Sequence, residues 1–260
     1  MTERHGRRTM MKKGDERMKI RFLGTGAADW AGPDERGEYR RLTSTLFDDE
    51  LLIDLTEGIL EMIPQEARIR SVLITHSHGD HYSPAAIGKI GPETVYAHES
   101  WAGEIDVPGA EVRALKIGEW TQAGTFEVMA MPSNHSTDRL HEQTVHYLLR
   151  KEGKYFLYAT DGAWLLNREL KLMQGITLSG AARDATIGDG HEGDYRIFEH
   201  NSLPMVRIMT DTMKQTGLLA PEAPVFLTHM ARTLHPSQKE LEANVGAPLV
   251  ACFDGMEAEV

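Results

Sequence analysis

The stretch Val72-Leu73-Ile74-Thr75-His76-Ser77-His78-Gly79-Asp80-His81 places three histidines and one aspartate directly after an apolar, β-branched run. The apolar run predicts a buried β-strand, and the glycine favours a loop after it. In an extended or looped backbone, residues two apart lie on the same side, so the side chains of His76 and His78 would face one point. Asp80 and His81 follow the glycine and could face a second point. This arrangement suits two neighbouring cations better than one.

The residues after this stretch predict that a helix begins there. Ser83 is a typical N-cap residue, and Pro84 fits the first turn of a helix. A solvated loop that is merely rich in histidine is the alternative interpretation. Three histidines and an aspartate within six residues at a strand end favour the metal site. Because four donors cannot complete the coordination of two cations, further ligands are expected elsewhere in the chain.

Length and composition predict one domain of ordinary globular character. The chain has 260 residues, of which 41% are hydrophobic, and no low-complexity linker divides it, so we expect a single catalytic domain over residues 18–260. No apolar run approaches the ~20 residues that a membrane span needs. Cys252 is the only cysteine, which excludes an internal disulfide and favours a cytoplasmic location.

The N-terminal residues 1–17 are basic, lack an apolar segment and predict a disordered extension instead of a secretory signal. Met18 is a candidate for the true start of the chain. The whole chain carries a formal net charge of −11, and the remainder is more acidic still without its basic N-terminus. Such a surface repels polyanions, so a nucleic-acid partner is not expected.

Alternating apolar and polar runs elsewhere predict a mixture of strands and helices. The predicted strands cover residues 19–23, 45–47, 51–53, 95–96, 112–115, 126–131, 145–149, 155–158 and 225–227. The predicted helices cover residues 57–63, about 164–174 and 200–216, in addition to the one that begins near Pro84. Residues 27–43 predict a loop long enough to be functional.

Four further polar residues follow apolar strands, at the positions where a sheet presents side chains at its edge. They are Asp54, His135, Asp161 and His229. Each of them alone is explained equally well as a polar residue that caps a strand or turn. Together with the histidine cluster, they are candidates for the missing metal ligands.

In these motifs the chain resembles the metallo-β-lactamase superfamily, and the motifs occur in the family's order. They are Asp54 in Leu-Ile-Asp-Leu, the cluster from His76 to His81, His135 in Pro-Ser-Asn-His-Ser, Asp161 in Ala-Thr-Asp-Gly and His229 in Leu-Thr-His. The resemblance implies an α/β fold, a four-layer αβ/βα sandwich of two mixed β-sheets flanked by helices. The predicted order of strands and helices is compatible with that fold.

The resemblance also implies that the chain binds two divalent metal ions. One ion would be held by His76, His78 and His135, and the other by Asp80, His81 and His229. Asp161 would bridge the ions, Asp80 would also take part in catalysis, and Asp54 would orient a ligand histidine from behind. Imidazole and carboxylate donors suit Mn²⁺ or Zn²⁺, and iron is also compatible with them.

Two shorter segments resemble the phosphodiesterases of the carbon–phosphorus lyase pathway that open phosphoribosyl 1,2-cyclic phosphate. They are Tyr39-Arg40-Arg41 in the long loop and Phe253-Asp254-Gly255-Met256-Glu257 near the C-terminus. Residues 24–44 contain no cysteine, whereas that family often has a cysteine-rich structural zinc site there. The resemblance implies a hydrolase that opens a small cyclic sugar-phosphate ester, with a hydroxide between the two metal ions as the nucleophile.

Phosphodiester hydrolysis also needs a proton donor and a group that balances phosphate charge. His200, which precedes a predicted helix, is the candidate general acid, and His191 in a glycine-rich segment is the second choice. Arg41, with Arg40, is the candidate for binding a phosphate. Asp184 ends an apolar segment and is a candidate for supporting the site from behind.

Other functions remain open from the sequence. A ribonuclease Z-like RNA phosphodiesterase and a glyoxalase II-like thioester hydrolase would use similar ligands, and a metal-binding module without catalysis is the non-enzymatic alternative. The expected partner is a small phosphate ester and not a membrane. A homodimer is left open.

Overall fold

The computed structural model describes residues 17–260, which form two seven-stranded β-sheets with helices on their outer faces. The predicted N-terminal extension therefore falls, apart from Arg17, on residues 1–16, outside the described residues.

The first sheet is built from the first strands of the chain and the last one. Its strands are β1 (Lys19–Gly24), β2 (Ser44–Phe47), β3 (Leu51–Ile53), β4 (Ser71–Leu73), β5 (Thr94–His98), β6 (Glu111–Leu115) and β14 (Met256–Glu259). Their spatial order is β14-β1-β2-β3-β4-β5-β6. Pairing is antiparallel from β14 to β3 and parallel from β3 to β6.

The second sheet repeats this pattern with the middle of the chain. Its strands are β7 (Trp120–Ala123), β8 (Phe126–Pro132), β9 (Val145–Lys151), β10 (Lys154–Ala159), β11 (Gly180–Asp184), β12 (Val225–Thr228) and β13 (Leu249–Ala251). Strands β7 to β10 pair antiparallel and β10 to β13 pair parallel. Both sheets are therefore mixed, as predicted.

Helices cover the outer face of each sheet. The α-helices are α1 (Pro84–Ile90), α2 (Asn167–Leu172), α3 (Leu203–Gln215) and α4 (Gln238–Val245), and short 3₁₀ helices occupy Glu57–Met62, Ala102–Glu104 and Tyr195–Phe198. Ala86 and Ile87 of α1 pack against the first sheet, and Leu203 and Val206 of α3 pack against the second. Within residues 17–260, no helix combines the length and apolar content needed to span a bilayer.

A continuous apolar core lies between the two sheets. Phe47 on β2 contacts three aromatic rings of the second sheet, Phe126, Phe156 and Tyr158, with ring centroids 5.4 to 6.4 Å apart. These side chains are fully buried. The layer order of helix, sheet, sheet and helix confirms the predicted αβ/βα sandwich.

The helix after the histidine cluster begins where the sequence predicts. Ser83 accepts a hydrogen bond from the backbone N–H of Ala86 at 3.2 Å, and Pro84 occupies the first turn. The helix ends at Gly91, which adopts the left-handed conformation with φ of 59°. Strand, loop and helix therefore follow one another as the sequence indicates.

The helix predicted over about 164–174 is shorter than expected. It covers only Asn167–Leu172, because Trp164 has a φ of 62° and Leu166 is extended. The predicted helix over 200–216 begins at Leu203, and the short helix predicted over residues 57–63 is a 3₁₀ helix over Glu57–Met62. Strands β7, β11, β13 and β14 and helix α4 were not predicted.

Candidate metal centre

The predicted site residues come together because six strands end at the same edge of the sandwich. Asp54 follows β3, the cluster of residues 76–81 follows β4, His135 follows β8, Asp161 follows β10, Asp184 ends β11 and His229 follows β12. The first two segments belong to the first sheet and the other four to the second. The donors therefore meet where the two sheets adjoin.

One group of possible ligands consists of three imidazoles. Nε2 of His76 lies 3.0 Å from Nδ1 of His78, and Nδ1 of His78 lies 3.2 Å from Nε2 of His135. His76 is fully buried, and the other two rings are partly exposed. The three nitrogens could therefore contact a single cation.

A second group combines one carboxylate with two imidazoles. Nε2 of His81 lies 3.3 Å from both Oδ2 of Asp80 and Nε2 of His229. Nε2 of His229 lies 3.7 Å from the same oxygen of Asp80. These atoms lie close enough together to hold a second cation.

The carboxylate of Asp161 lies between the two groups. Its Oδ2 is 3.0 Å from Nε2 of His81, and its Oδ1 is 3.3 Å from Nε2 of His229 and 3.9 Å from Nε2 of His135. Oδ2 is buried and accepts no hydrogen bond within the described part of the chain. This position is suited to a ligand shared by two cations.

The donors fit a pair of divalent metal ions. Two imidazole nitrogens about 3 Å apart can share only one proton, so lone pairs remain without a partner when several such nitrogens meet. A cation can accept a lone pair from each of them at once. The buried oxygen Oδ2 of Asp161, which has no hydrogen-bond partner among the described residues, also indicates that a cation belongs there. Nitrogen and carboxylate donors suit zinc, manganese and iron.

Asp54 and Thr75 fix the orientation of two of these histidines. Asp54 accepts hydrogen bonds from the N–H and the hydroxyl of Thr75, both at 2.8 Å, and its Oδ2 lies 2.7 Å from Nδ1 of His81. Because the Thr75 hydroxyl gives its proton to Asp54, it can accept one from Nδ1 of His76 at 3.0 Å. When neutral, a ring held in this way presents an unprotonated Nε2 to the cluster.

The charges around Asp161 favour its ionised form. Burial raises the pKa of its carboxyl, but His229 and His81 outweigh this effect and hold the pKa well below the ordinary value. Burial, together with the nearby His81, lowers the pKa of His76 well below its usual range. An ionised carboxylate and a neutral imidazole are the protonation states that bind a metal ion.

His200 lies beside the cluster and forms a pair with Asp184. Its Nδ1 is 2.7 Å from Oδ2 of Asp184, and its ring stacks on His229 with centroids 5.3 Å apart and an interplanar angle of 12°. Burial lowers the pKa of His200, but Asp184 and Asp161 outweigh it and raise the pKa to about 9. Asp184 itself is fully buried and accepts backbone N–H groups from Thr186 and Asn201.

The other predicted site residues lie outside the two groups of possible ligands. Arg41 lines a cleft of about 480 Å³ that also contains Gly79, the residue between two of the possible ligands. Arg40 is turned into the protein, where it donates to the Thr25 hydroxyl and the Cys252 carbonyl, so its suggested contact with phosphate is wrong. His191 is exposed and belongs to none of the groups of possible ligands.

Two positioning hydroxyls at the site were not found from the sequence. Thr75 and Thr186 each contact a clustered imidazole, at 3.0 Å and 2.9 Å. Thr75 directly precedes His76, and Thr186 lies two residues after Asp184, the last residue of β11, so both occur near strand ends, a position that could have signalled them. Threonine is so common at strand ends that this position alone does not distinguish them.

The chain matches a known protein family. The sequence profile of the β-lactamase superfamily domain matches residues 51–194, a range that contains most of the clustered donors. A search among proteins of curated function found no match.

Several solved structures share the fold. A diphosphatase described as new in the PhnP family is 17% identical, with a TM-score of 0.72 over 94% of this chain and 98% of that chain. Zn²⁺-bound PqqB from Methylobacterium extorquens is 16% identical, with a TM-score of 0.68 over 93% and 100%. Human tRNase Z, short form, is 17% identical, with a TM-score of 0.65 over 92% and 98%. At these identities the likeness shows the fold alone.

Proposed function

Because the chain belongs to the metallo-β-lactamase superfamily, we propose that it is a dinuclear metal-dependent phosphodiesterase that opens a small cyclic sugar-phosphate ester. The observation that carries this proposal is the convergence of seven donors in two groups that share one carboxylate, that of Asp161.

The proposal assigns one cation to each group. His76, His78 and His135 would hold the first, and Asp80, His81 and His229 would hold the second, with Asp161 between them. When bound, the cations would lower the pKa of coordinated water and offset the negative charge of the phosphate. Manganese or zinc would serve, and iron suits the same donors.

His200 would donate a proton to the departing oxygen of the ester. Asp184 occupies its Nδ1, so Nε2 is the nitrogen left for a substrate. The ring also lies 5.1 Å from the ring of His135, which places it beside both groups of donors. Opening a cyclic phosphate releases an alkoxide that must be protonated, and a positioned imidazole meets that need.

The cleft beside Gly79 would hold the part of the substrate beyond the reacting phosphate. Arg41 at its wall is held by Glu61, and its Nη1 lies 3.8 Å from Oδ2 of Asp254, too far for a hydrogen bond. The guanidinium is thus fixed in place with a donor left over. It would pair with a second anionic group of the substrate, such as a terminal phosphate.

The charge of the chain favours a small substrate over RNA. RNA-binding surfaces gain most of their affinity from lysine and arginine contacts to phosphates, whereas this chain has 28 basic against 39 acidic residues. A processing enzyme for transfer RNA is therefore the weaker candidate, although the fold alone would allow it.

Substrate profiling of the manganese-loaded protein tests the proposal. We expect hydrolysis of bis(p-nitrophenyl) phosphate and faster hydrolysis of phosphoribosyl 1,2-cyclic phosphate. A precursor transfer RNA and a glutathione thioester serve as comparison substrates. Hydrolysis of the thioester without any phosphodiester turnover would contradict the proposal, and so would efficient cleavage of the RNA alone.

Three substitutions separate metal binding from proton donation. His76→Ala and Asp161→Ala should each lose bound metal and activity together. His200→Ala should keep two metal ions and lower kcat by about 10²- to 10⁴-fold, the usual contribution of a positioned acid. Metal content by plasma mass spectrometry and kcat on the cyclic ester are the measurements. If His200→Ala loses as much metal as the other two, His200 is a ligand and not the acid.

A further inference from the structure

Three residues of the candidate metal centre share a backbone conformation that is unusual for residues other than glycine. Asp54, Asp161 and His229 have φ angles of 58°, 54° and 56°, in the left-handed region. Each lies just beyond the end of a strand, namely β3, β10 and β12. This conformation is unfavourable for L-residues with a side chain and persists only where surrounding contacts stabilise it.

The other non-glycine residues with positive φ have a different setting. Among residues 17–260 they are Asp48, Asp49, Glu152 and Trp164. The first three lie in the tight turns that connect β2 to β3 and β9 to β10, where a positive φ is usual. Trp164 lies in the loop after Asp161.

In each of the three site residues, the backbone carbonyl accepts a hydrogen bond from a buried hydroxyl. Ser44 donates to the carbonyl of Asp54 at 2.7 Å, Ser133 to that of Asp161 at 2.6 Å, and Thr186 to that of His229 at 2.9 Å. All three hydroxyl-bearing residues are at most 6% exposed. The same hydrogen bond, from a buried hydroxyl to the carbonyl of a residue with positive φ, therefore occurs at three separate strand ends.

We propose that the hydroxyls of Ser44, Ser133 and Thr186 are positioning groups that hold these three residues in the left-handed conformation. In that conformation the chain leaves the strand, and the two carboxylates and the imidazole turn toward the candidate metal centre. Because the strands have ended, the sheet offers these carbonyls no partner, and a buried unpaired carbonyl is unfavourable. The inference rests on the metal-binding part of the proposed function.

Two of the hydroxyls make a second bond within the site. The Ser133 oxygen also accepts the backbone N–H of His135 at 3.2 Å, so it connects the shared carboxylate residue to a histidine of the first group. A Cβ at position 162 would lie 2.8 Å from the same oxygen, so the glycine there leaves space for the Ser133 hydroxyl.

The second bond of Thr186 favours one tautomer of His229. The Thr186 oxygen lies 2.9 Å from Nδ1 of His229 and 3.2 Å from Nδ1 of His200. When its hydroxyl donates to the carbonyl of His229, the oxygen can accept the Nδ1 proton of the same residue. Nε2 of His229 is then unprotonated and faces Asp80 and Asp161. One hydroxyl thus fixes both the backbone and the ring of a possible ligand.

Two substitutions at Thr186 test this inference. Thr186→Val removes the hydroxyl and keeps the volume, whereas Thr186→Ser keeps the hydroxyl. Zn²⁺ affinity and stoichiometry are measured by titration against a chromophoric chelator. We expect Thr186→Val to raise the Kd of one site about 10- to 100-fold, as loss of the groups that orient a ligand does elsewhere. Thr186→Ser should stay within about threefold of the wild type.

Ser133→Ala provides a second, independent variant, with Ser133→Thr as its hydroxyl-retaining partner. The matched control is Thr43→Val, because the Thr43 hydroxyl is also buried and donates to a carbonyl, that of Gly26, at 2.9 Å. Thr43→Val should lower the melting temperature and leave Zn²⁺ affinity unchanged.

The outcomes separate this inference from the proposed function. Wild-type Zn²⁺ affinity in folded Thr186→Val and Ser133→Ala would overturn the inference, as would an equal loss of affinity in Thr186→Ser or Thr43→Val. If the wild-type protein itself binds fewer than two ions, the proposed function fails instead.

Discussion

At the scale of single residues, Asp54 determines which ring nitrogens face the candidate metal centre. It is fully buried, and burial raises the pKa of its carboxyl although His81 and Thr75 favour the ionised form. Through three hydrogen bonds it orients His81 directly and His76 by way of the Thr75 hydroxyl. Asp54 thus acts on both groups of donors without itself facing a cation.

Asp54→Asn should therefore weaken metal binding more than it weakens the fold. An asparagine amide facing Nδ1 of His81 would donate a proton there, which moves the ring proton to Nε2, the nitrogen that faces the cluster. We expect the Kd for Zn²⁺ to rise about 10- to 100-fold, measured by competition with a chelator. Asp189→Asn is the control, because Asp189 pairs with Arg207 at the surface. Unchanged Zn²⁺ affinity in Asp54→Asn would show that this carboxylate does not set the tautomer.

At the scale of secondary-structure elements, the strands that position the possible ligands were largely predictable, and one important strand was not. The apolar runs before Asp54, His76, His135, Asp161 and His229 each contain β-branched or aromatic residues, and all of them form strands. The run Gly180-Ala181-Ala182-Arg183-Asp184 consists of small and charged residues with little strand propensity. It becomes β11 because it pairs with β10 and β12 in the parallel part of the second sheet, a tertiary effect that local sequence does not show.

The contact between His200 and Asp184 depended on that missed strand. The sequence placed Asp184 at the end of an apolar segment and His200 before a helix, but it did not predict strand β11, which ends at Asp184, or the contact between the two side chains. The left-handed conformations of Asp54, Asp161 and His229 were also beyond sequence analysis, because non-glycine residues rarely signal a positive φ. The family resemblance therefore predicted the fold, and local patterns selected the residues that converge at the candidate metal centre, while the groups that orient them required the three-dimensional arrangement.

The segment after β12 should respond to pH through His235. Its Nε2 donates to the carbonyl of Ala185 at 2.7 Å, which joins this segment to the end of β11. Burial lowers the pKa of His235 to about 4, from an ordinary 6.5. The folded state therefore disfavours the protonated form of this imidazole. Because the unfolded chain binds the proton more readily, the protein loses stability as the pH falls from about 6.5 toward 4.

His235→Gln isolates this effect, since glutamine can keep the donor and does not titrate. Between pH 7 and pH 5 the wild type should lose about 2 kcal/mol of unfolding free energy relative to the variant. Urea denaturation at both pH values measures the difference. A pH dependence that is identical in the wild type and the variant would show that His235 remains neutral in the unfolded chain or is exposed in the folded one.

At the scale of the whole molecule, the candidate metal centre joins the two sheets. His76, His78, Asp80 and His81 follow a strand of the first sheet, whereas His135, Asp161 and His229 follow strands of the second. Each group of donors therefore contains residues from both sheets. Cations bound there would hold the two halves of the sandwich together at this edge, in addition to the apolar core between the sheets.

Metal removal should consequently lower the thermal stability of the whole domain. A ligand at 100 times its Kd stabilises the folded state by about 2.7 kcal/mol, so two cations would raise the melting temperature by roughly 10 °C in a domain of this size. Calorimetry with and without a chelator measures this shift. His200→Ala should retain the full shift, because that residue is not assigned to a cation, whereas His229→Ala should lose about half of it. An equal melting temperature with and without chelator in the wild type would mean that the two sheets are not joined by metal.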